Sequence, residues 1–344
     1  MKKKILVTGG TGYIGSHTSV ELINEGYDVL IVDNLYNSEA EVAGNIGRIT
    51  GIVPGLEVFD LCDQNRVNSF FEKHRDIEAI IHFAAFKAVS ESVYKPLEYY
   101  SNNLVSLMNL LVAMREYDVP NFVFSSSCTV YGQPVKLPVT EEAPIQPATS
   151  PYGNTKQIGE EIIRDTTLAN KNIKAVSLRY FNPIGAHPSG IIGELPRGVP
   201  ENLVPYITQT ACGLRDELKV FGDDYDTPDG SCIRDYLHVV DLARAHVIAV
   251  RRLLEGRNKA GYEVFNLGTG NGVSVFEAIR SFERVSGLKL KYRITGRRAG
   301  DIEKIWADPS LANRELGWKT QSSLDDAMRT AWEWEKKIRK DKQM

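Results

Sequence analysis

Lys4-Ile5-Leu6-Val7-Thr8-Gly9-Gly10-Thr11-Gly12-Tyr13-Ile14-Gly15 joins a short apolar strand to glycines set three apart. Gly9, Gly12 and Gly15 stand where side chains must be absent if backbone is to approach a pyrophosphate held at a helix N-terminus. The same spacing also serves an ordinary tight turn between strand and helix. The adjoining residues favour the nucleotide reading: a helix from Gly12 to Glu25 stops at Gly26, a second strand runs from Asp28 to Val32, and Asp33 stands 18 residues after Gly15. An acid at that point accepts hydrogen bonds from adenosine ribose hydroxyls. It also repels a 2′-phosphate, and Asn34-Leu35-Tyr36-Asn37-Ser38 contains no Arg to attract one, so the expected cofactor is NAD rather than NADP. A phosphate-hydrolysing loop would need Lys-Ser or Lys-Thr after its last glycine, and Gly15 is followed by Ser16-His17.

Outward from this unit, apolar runs at Ala79 to Phe83, Asn121 to Phe124 and Lys174 to Leu178 read as further buried strands between amphipathic stretches. The expected fold is α/β, a doubly wound parallel sheet with a smaller C-terminal substrate lobe. At 344 residues the chain exceeds what one core usually serves. The texture changes near Asn182, where Pro183, Pro188, Pro196, Pro200 and Pro205 indicate long irregular connections. Residues 1–182 are therefore expected to form the nucleotide domain and 183–344 the second lobe with closing helices. Ser322-Ser323-Leu324-Asp325-Asp326 reads as the start of a final helix.

Composition removes other classes. A net charge of −3 gives no field for nucleic acid or an anionic membrane. The four cysteines contain no CxxC pair and the six histidines no metal-ligand spacing, so free thiols and no metal are expected. The apolar run after Lys2-Lys3-Lys4 breaks at Thr8-Gly9-Gly10, too early for a signal segment, and the expected location is the cytoplasm.

Tyr152 and Lys156 are four apart, hence on one face of a helix whose start is marked by Pro151. Alone this is an ordinary exposed pair. Its place downstream of a strand ending in Ser125-Ser126-Ser127 lets a hydroxyl and a phenol converge on one carbinol. A phenol of pKa near 10 is only about 0.1% ionised at neutral pH, and a nearby ammonium is expected to lower that pKa.

With TGxxGxxG, a strand-end Ser and YxxxK in place, the chain resembles the extended short-chain dehydrogenase/reductases. Further stretches narrow the resemblance to the UDP-glucose 4-epimerase group: Val32-Asp33-Asn34-Leu35, Ile81-His82-Phe83-Ala84-Ala85-Phe86-Lys87-Ala88-Val89, Ser125 to Gly132, Leu178 to His187, Pro200-Glu201-Asn202-Leu203, Arg234 to Val239 and Arg297-Arg298-Ala299-Gly300-Asp301. The resemblance implies a Rossmann domain with return segments near 235–267, a UDP-sugar lobe, and a homodimer formed through helices Leu97 to Tyr117 and Tyr152 to Ala169. It implies that Tyr13, Ile14, Asp33, Asn34, Asp60, Leu61, Phe83, Ala84, Ala85, Lys87, Asn102, Tyr152, Lys156 and Tyr180 hold NAD. Lys87, Ser127, Tyr152, Phe181, Asn182, Asn202, Leu203, Lys219, Val220, Phe221, Arg234, Arg298, Asp301 and Ile305 are implied around the UDP-sugar. Arg234 and Arg298 suit a diphosphate by bidentate charge-assisted bonding, or serve as surface ion pairs.

The implied reaction inverts C4 of a UDP-hexose through a 4-keto intermediate, with Tyr152 as base, Ser127 bonding the reacting oxygen and Lys156 acting on the Tyr152 pKa. Ile305 stands where restricted relatives carry Tyr, which implies room for an N-acetyl group; a plain core role is the alternative. A 4,6-dehydratase would place Asp-Glu where Cys128-Thr129 stands. A nucleotide-sugar reductase needs the same Ser, Tyr and Lys, whereas an NAD-sensing regulator would need neither Tyr152 nor Lys156.

Overall fold

In the computed structural model, which describes residues 2–298 and 301–341, seven parallel strands make one sheet. Met1, Ala299, Gly300 and residues 342–344 lie outside the described residues, so the middle of the Arg298 to Asp301 motif is not described. The strands are β1 (Lys4–Thr8), β2 (Asp28–Asp33), β3 (Gly55–Val58), β4 (Ile77–His82), β5 (Asn121–Ser127), β6 (Lys174–Tyr180) and a last strand, Tyr262–Leu267. Their spatial order is Tyr262–Leu267, β6, β5, β4, β1, β2, β3, so the winding reverses between β1 and β4. At such a reversal the connections leave in opposite directions and open a crevice at the carboxyl ends of the strands.

Side-chain alternation explains why the sheet is covered on both faces. Ile5, Val7, Val29, Ile31, Ile81 and Val123 pack on one side with helices Tyr13–Asn24 and Val239–Leu254. Leu6, Leu30, Val32, Ile80, Phe122 and Phe124 pack on the other with helices Gln64–Lys73, Ser106–Glu116 and Pro151–Ala169. A third apolar cluster joins Ile184, Val204, Ile207, Leu218 and Val220 to Phe282 and Met328, from helices Leu203–Ala211, Val275–Ser286 and Leu324–Asp341. There Ser274 and Glu277 form a capping box, and Ser323 Oγ accepts from Asp326 N at 3.1 Å at the start of the last helix. Short strands finish this lobe: Leu218–Phe221 beside Tyr292–Thr295, and Ile233–Arg234 between Val273–Ser274 and Lys304–Ile305.

Three features go beyond local pattern. β5 runs on to Ser127 and β6 to Tyr180, because their polar residues are bonded inside the fold and remain buried. β3 and helices Glu41–Thr50 and Gln64–Lys73 fall outside the stretches read from sequence, although Asp63 caps the second helix by accepting from Asn65 N and Arg66 N and Gly51 ends the first. The helix expected over Leu97 to Tyr117 runs from Pro96 to Glu116 with a wide π turn at Ser101–Val105. Ser106 Oγ donates to Asn102 O at 2.6 Å, and Asn103 turns inward to bond Phe86 O and Thr155 Oγ1; these demands widen the turn.

Candidate active site

The glycine turn is a cradle that side chains would fill. Gly9 has φ +69°, and a Cβ on it would lie 2.7 Å from Ala84 N; a Cβ on Gly15 would press on Gly9 O. Backbone thus packs on backbone between the ends of β1 and β4, with Tyr13 and Ile14 opening the helix behind it. Asp33 closes the next strand. Its carboxylate accepts from Thr11 N at 3.2 Å, Leu35 N at 2.9 Å and Ser38 Oγ at 3.1 Å. Asn34 Nδ2 reaches Asp60 Oδ2 at 3.3 Å, and Leu61 O accepts from Asn109 Nδ2 at 2.8 Å, so these groups line one rim. Asn102 is braced by Asn103 Oδ1 at 2.9 Å. Phe83, Ala84 and Ala85 come directly after β4, and Lys87 Nζ lies 3.1 Å from Glu194 Oε1. A glycine cradle at the crossover, with an acid ending the next strand, fits a dinucleotide.

Ser127 ends β5, and Tyr152 lies in the first turn of Pro151–Ala169, where Ser150 Oγ caps Gly153 N at 3.1 Å. Ser127, Tyr152 and Lys156 are all buried. Lys156 Nζ donates to Ser125 O at 2.6 Å and sits 4.8 Å from the Phe124 ring centre and 6.0 Å from that of Tyr152. Burial pushes the Lys156 ammonium down to about 8, against the pull of Glu160. The expected lowering of Tyr152 is reversed. Burial raises its phenol well above the usual range and Tyr180 adds to this, while a hydrogen bond with Ser127 opposes it. Loss of hydration outweighs an ammonium held 6.0 Å from the ring centre. Tyr180 lies over the same site, bonded to Ser125 Oγ.

On the lobe side, Arg234 Nη2 and Arg298 Nη2 both reach Asp301 Oδ1, at 3.4 and 2.8 Å, and Arg298 lies 5.4 Å from the Phe221 ring centre. Two guanidiniums sharing one carboxylate leave a net positive cluster suited to a diphosphate. Lys219 and Phe221 point outward from their strand, whereas Val220 is buried in the lobe core. Asn202 Nδ2 bonds Glu194 Oε1 at 2.7 Å and Leu203 opens the next helix; Asn182 is tied through its N–H to Asp235 O at 3.0 Å. Phe181 and Ile305 share one cluster with Val130, Tyr131, Val139 and Ala307, and only 2% of Ile305 is exposed. Among the described residues no three His, Cys, Asp or Glu side chains converge as a metal site.

Several contributors are not marked in the sequence. Glu160, one turn beyond Lys156, accepts from Ser126 Oγ at 2.5 Å and from Arg179 Nη2 at 2.6 Å, all three buried; Arg179 Nη1 continues to Tyr131 Oη at 2.9 Å. A charged residue inside a buried strand is the available signal for Arg179. The Asp235 carboxylate, fully buried, accepts from Thr269 N, Thr269 Oγ1, Gly270 N and Ala307 N, which pins Arg234 beside the Lys304–Ile305 strand. Nothing local marks that role.

The UDP-glucose 4-epimerase of Bacillus subtilis is 51% identical over 331 residues, 96% of each chain. The chain belongs to the UDP-glucose 4-epimerase family. The family model described as GDP-mannose 4,6 dehydratase matches residues 6–331, which places the epimerases in the same extended short-chain group. A UDP-glucose 4-epimerase structure from Stenotrophomonas maltophila, with bound NAD and formylated UDP-arabinopyranose, superposes with TM-score 0.95 at 47% identity, covering 98% of this chain and 99% of that one. Another from Bifidobacterium longum, in complex with NAD+ and UDP, gives 0.92 at 47% identity over 97% and 98%. The dehydratase acid pair is absent here: Cys128 and Thr129 occupy its place, and burial pushes the Cys128 thiol up to about 12, where it stays neutral.

Proposed function

We propose that this protein is an NAD-dependent isomerase that inverts C4 of UDP-hexoses, interconverting UDP-glucose and UDP-galactose. The observation supporting this reading is the approach of Lys156 Nζ to within 6.0 Å of the Tyr152 ring centre, with Ser127 ending β5, in the sheet whose β1 and β4 carry the glycine cradle. NAD, when bound, supplies a reversible hydride acceptor, so the sugar is oxidised and reduced again with no net redox change. Tyr152 Oη takes the proton of the 4-hydroxyl and returns it, and Ser127 Oγ bonds the reacting oxygen. Lys156 supplies the positive charge that favours the Tyr152 phenolate, the form able to accept that proton. Arg234 and Arg298 hold the diphosphate while the keto sugar presents its other face. A reductase would use the same triad but consume reduced cofactor.

Incubation of purified protein with UDP-galactose and no added NAD is expected to yield UDP-glucose, and the denatured protein to release NAD. Absence of epimer, or NADP in the supernatant, would overturn the reading.

Because the resemblance sets Ile305 where restricted relatives carry Tyr, and Ile305 packs in one cluster with Phe181, we also expect epimerisation of UDP-N-acetylglucosamine. Its kcat/KM is expected within about a hundredfold of that for UDP-glucose, some 2.7 kcal/mol of discrimination. No detectable turnover of the acetylated sugar refutes this.

For assembly we propose a homodimer through helices Pro96–Glu116 and Pro151–Ala169, whose exposed Leu97, Met108 and Leu168 are apolar. Cytoplasmic action accords with four free thiols. Among the described residues no helix is long and apolar enough to cross a membrane.

A further inference from the structure

The segment Gly185–Asn202 crosses from the substrate lobe to the carboxyl edge of the sheet and touches the ends of three adjacent strands. After β1, Tyr13 Oη donates to Gly185 O at 2.6 Å. After β4, Lys87 Nζ bonds Glu194 Oε1 at 3.1 Å. After β2, the Arg197 guanidinium forks, Nη1 donating to Tyr36 O at 2.8 Å and Nη2 to Ser38 O at 2.7 Å. The segment is anchored at its rear, since Trp334 Nε1 donates to Glu194 O at 2.9 Å. β4, β1 and β2 are neighbours in the sheet and flank the point where its winding reverses, so the segment spans the crevice in which the glycine cradle lies.

We propose that Arg197 is a positioning residue for the cofactor: it latches this strap onto the ribose loop and so slows the loss of NAD. The loop it grips is the one that orders Asp33. Ser38, whose carbonyl takes one prong of the fork, donates its hydroxyl to Asp33 Oδ1 at 3.1 Å and pairs with Thr11 Oγ1 at 2.7 Å. Tyr36, whose carbonyl takes the other prong, packs its ring 4.9 Å from that of Phe86 on the β4 side, tilted by 43°. A planar guanidinium matches two carbonyls at once, which a single ammonium does not. Both nitrogens of the fork are engaged with backbone, so Arg197 bridges the loop to the strap instead of offering itself to a 2′-phosphate. Release of a dinucleotide from the crevice then requires both hydrogen bonds to open.

This inference rests on the assignment of the cradle to NAD, and the test separates the two. Wild-type protein and the variants Arg197→Ala and Arg197→Lys are purified, and the rate at which each surrenders bound NAD to an external NAD-consuming scavenger is measured, independently of epimerase turnover. Arg197 is exposed, so its replacement leaves the fold intact. Arg197→Ala is expected to release NAD about tenfold faster, the effect of two modest hydrogen bonds. Arg197→Lys is expected to lie closer to Ala than to wild type. If wild type carries NAD and Arg197→Ala releases it at the wild-type rate, the latch is refuted while the cofactor assignment stands. Full rescue by Lys would refute the fork. Wild type that binds no NAD would overturn both.

Discussion

Tyr152→Phe is expected to lower kcat by a factor of about 10² to 10⁴, the usual contribution of a positioned acid or base. Only one hydroxyl is removed, from a ring that is 9% exposed and whose packing the Phe retains, so fold and NAD content are expected to persist. Burial of Tyr152 favours the neutral phenol, so the phenolate that abstracts the proton has to be held by a positive charge close by. Lys156 is the chain's own source, and burial has already pushed it down to about 8. Above that pH the ammonium is lost, so kcat is expected to decline on the alkaline side. A variant that turns over near the wild-type rate, or a kcat profile flat to about pH 10, beyond the ordinary phenol range, would refute these roles.

The second large effect concerns stability. Arg179→Met removes the guanidinium bonded to the buried Glu160 carboxylate and leaves it Ser126 Oγ as a neutral donor, and breaking a buried pair from one side costs about 3–5 kcal/mol. The double variant Glu160→Leu, Arg179→Met removes both charges and is expected to recover most of that loss, because two apolar groups carry no desolvation penalty. Urea midpoints for the wild type and the two variants decide the matter. A single variant within about 1 kcal/mol of wild type would show that the pair is not needed. The single change is also expected to disturb catalysis, since Glu160 lies one turn from Lys156 and grips the residue before Ser127.

Much of the site is legible in the sequence because its chemistry is encoded over short spans. Strand, glycine turn, helix, strand and Asp33 are consecutive in the chain, and steric rules at Gly15 act against Gly9 and Gly10, near neighbours in sequence. Tyr152 and Lys156 need only the helical repeat to share a face. The end of β5 at Ser127 is legible in kind, though its polar residues read as loop without the distant partners that bury them.

Tertiary structure decided what depends on residues far apart in sequence. Tyr262–Leu267 joins β6 at the sheet edge, Asp235 ties together residues 269, 270 and 307, and Arg197 reaches back to residues 36 and 38. No periodicity records such pairings, which arise only when packed surfaces bring polar groups within reach. The Tyr152 proton affinity belongs with them. Four residues of spacing placed an ammonium beside a phenol, but how much water the fold removes from both set the direction of the shift, and hydration is a property of the assembled core rather than of the local sequence.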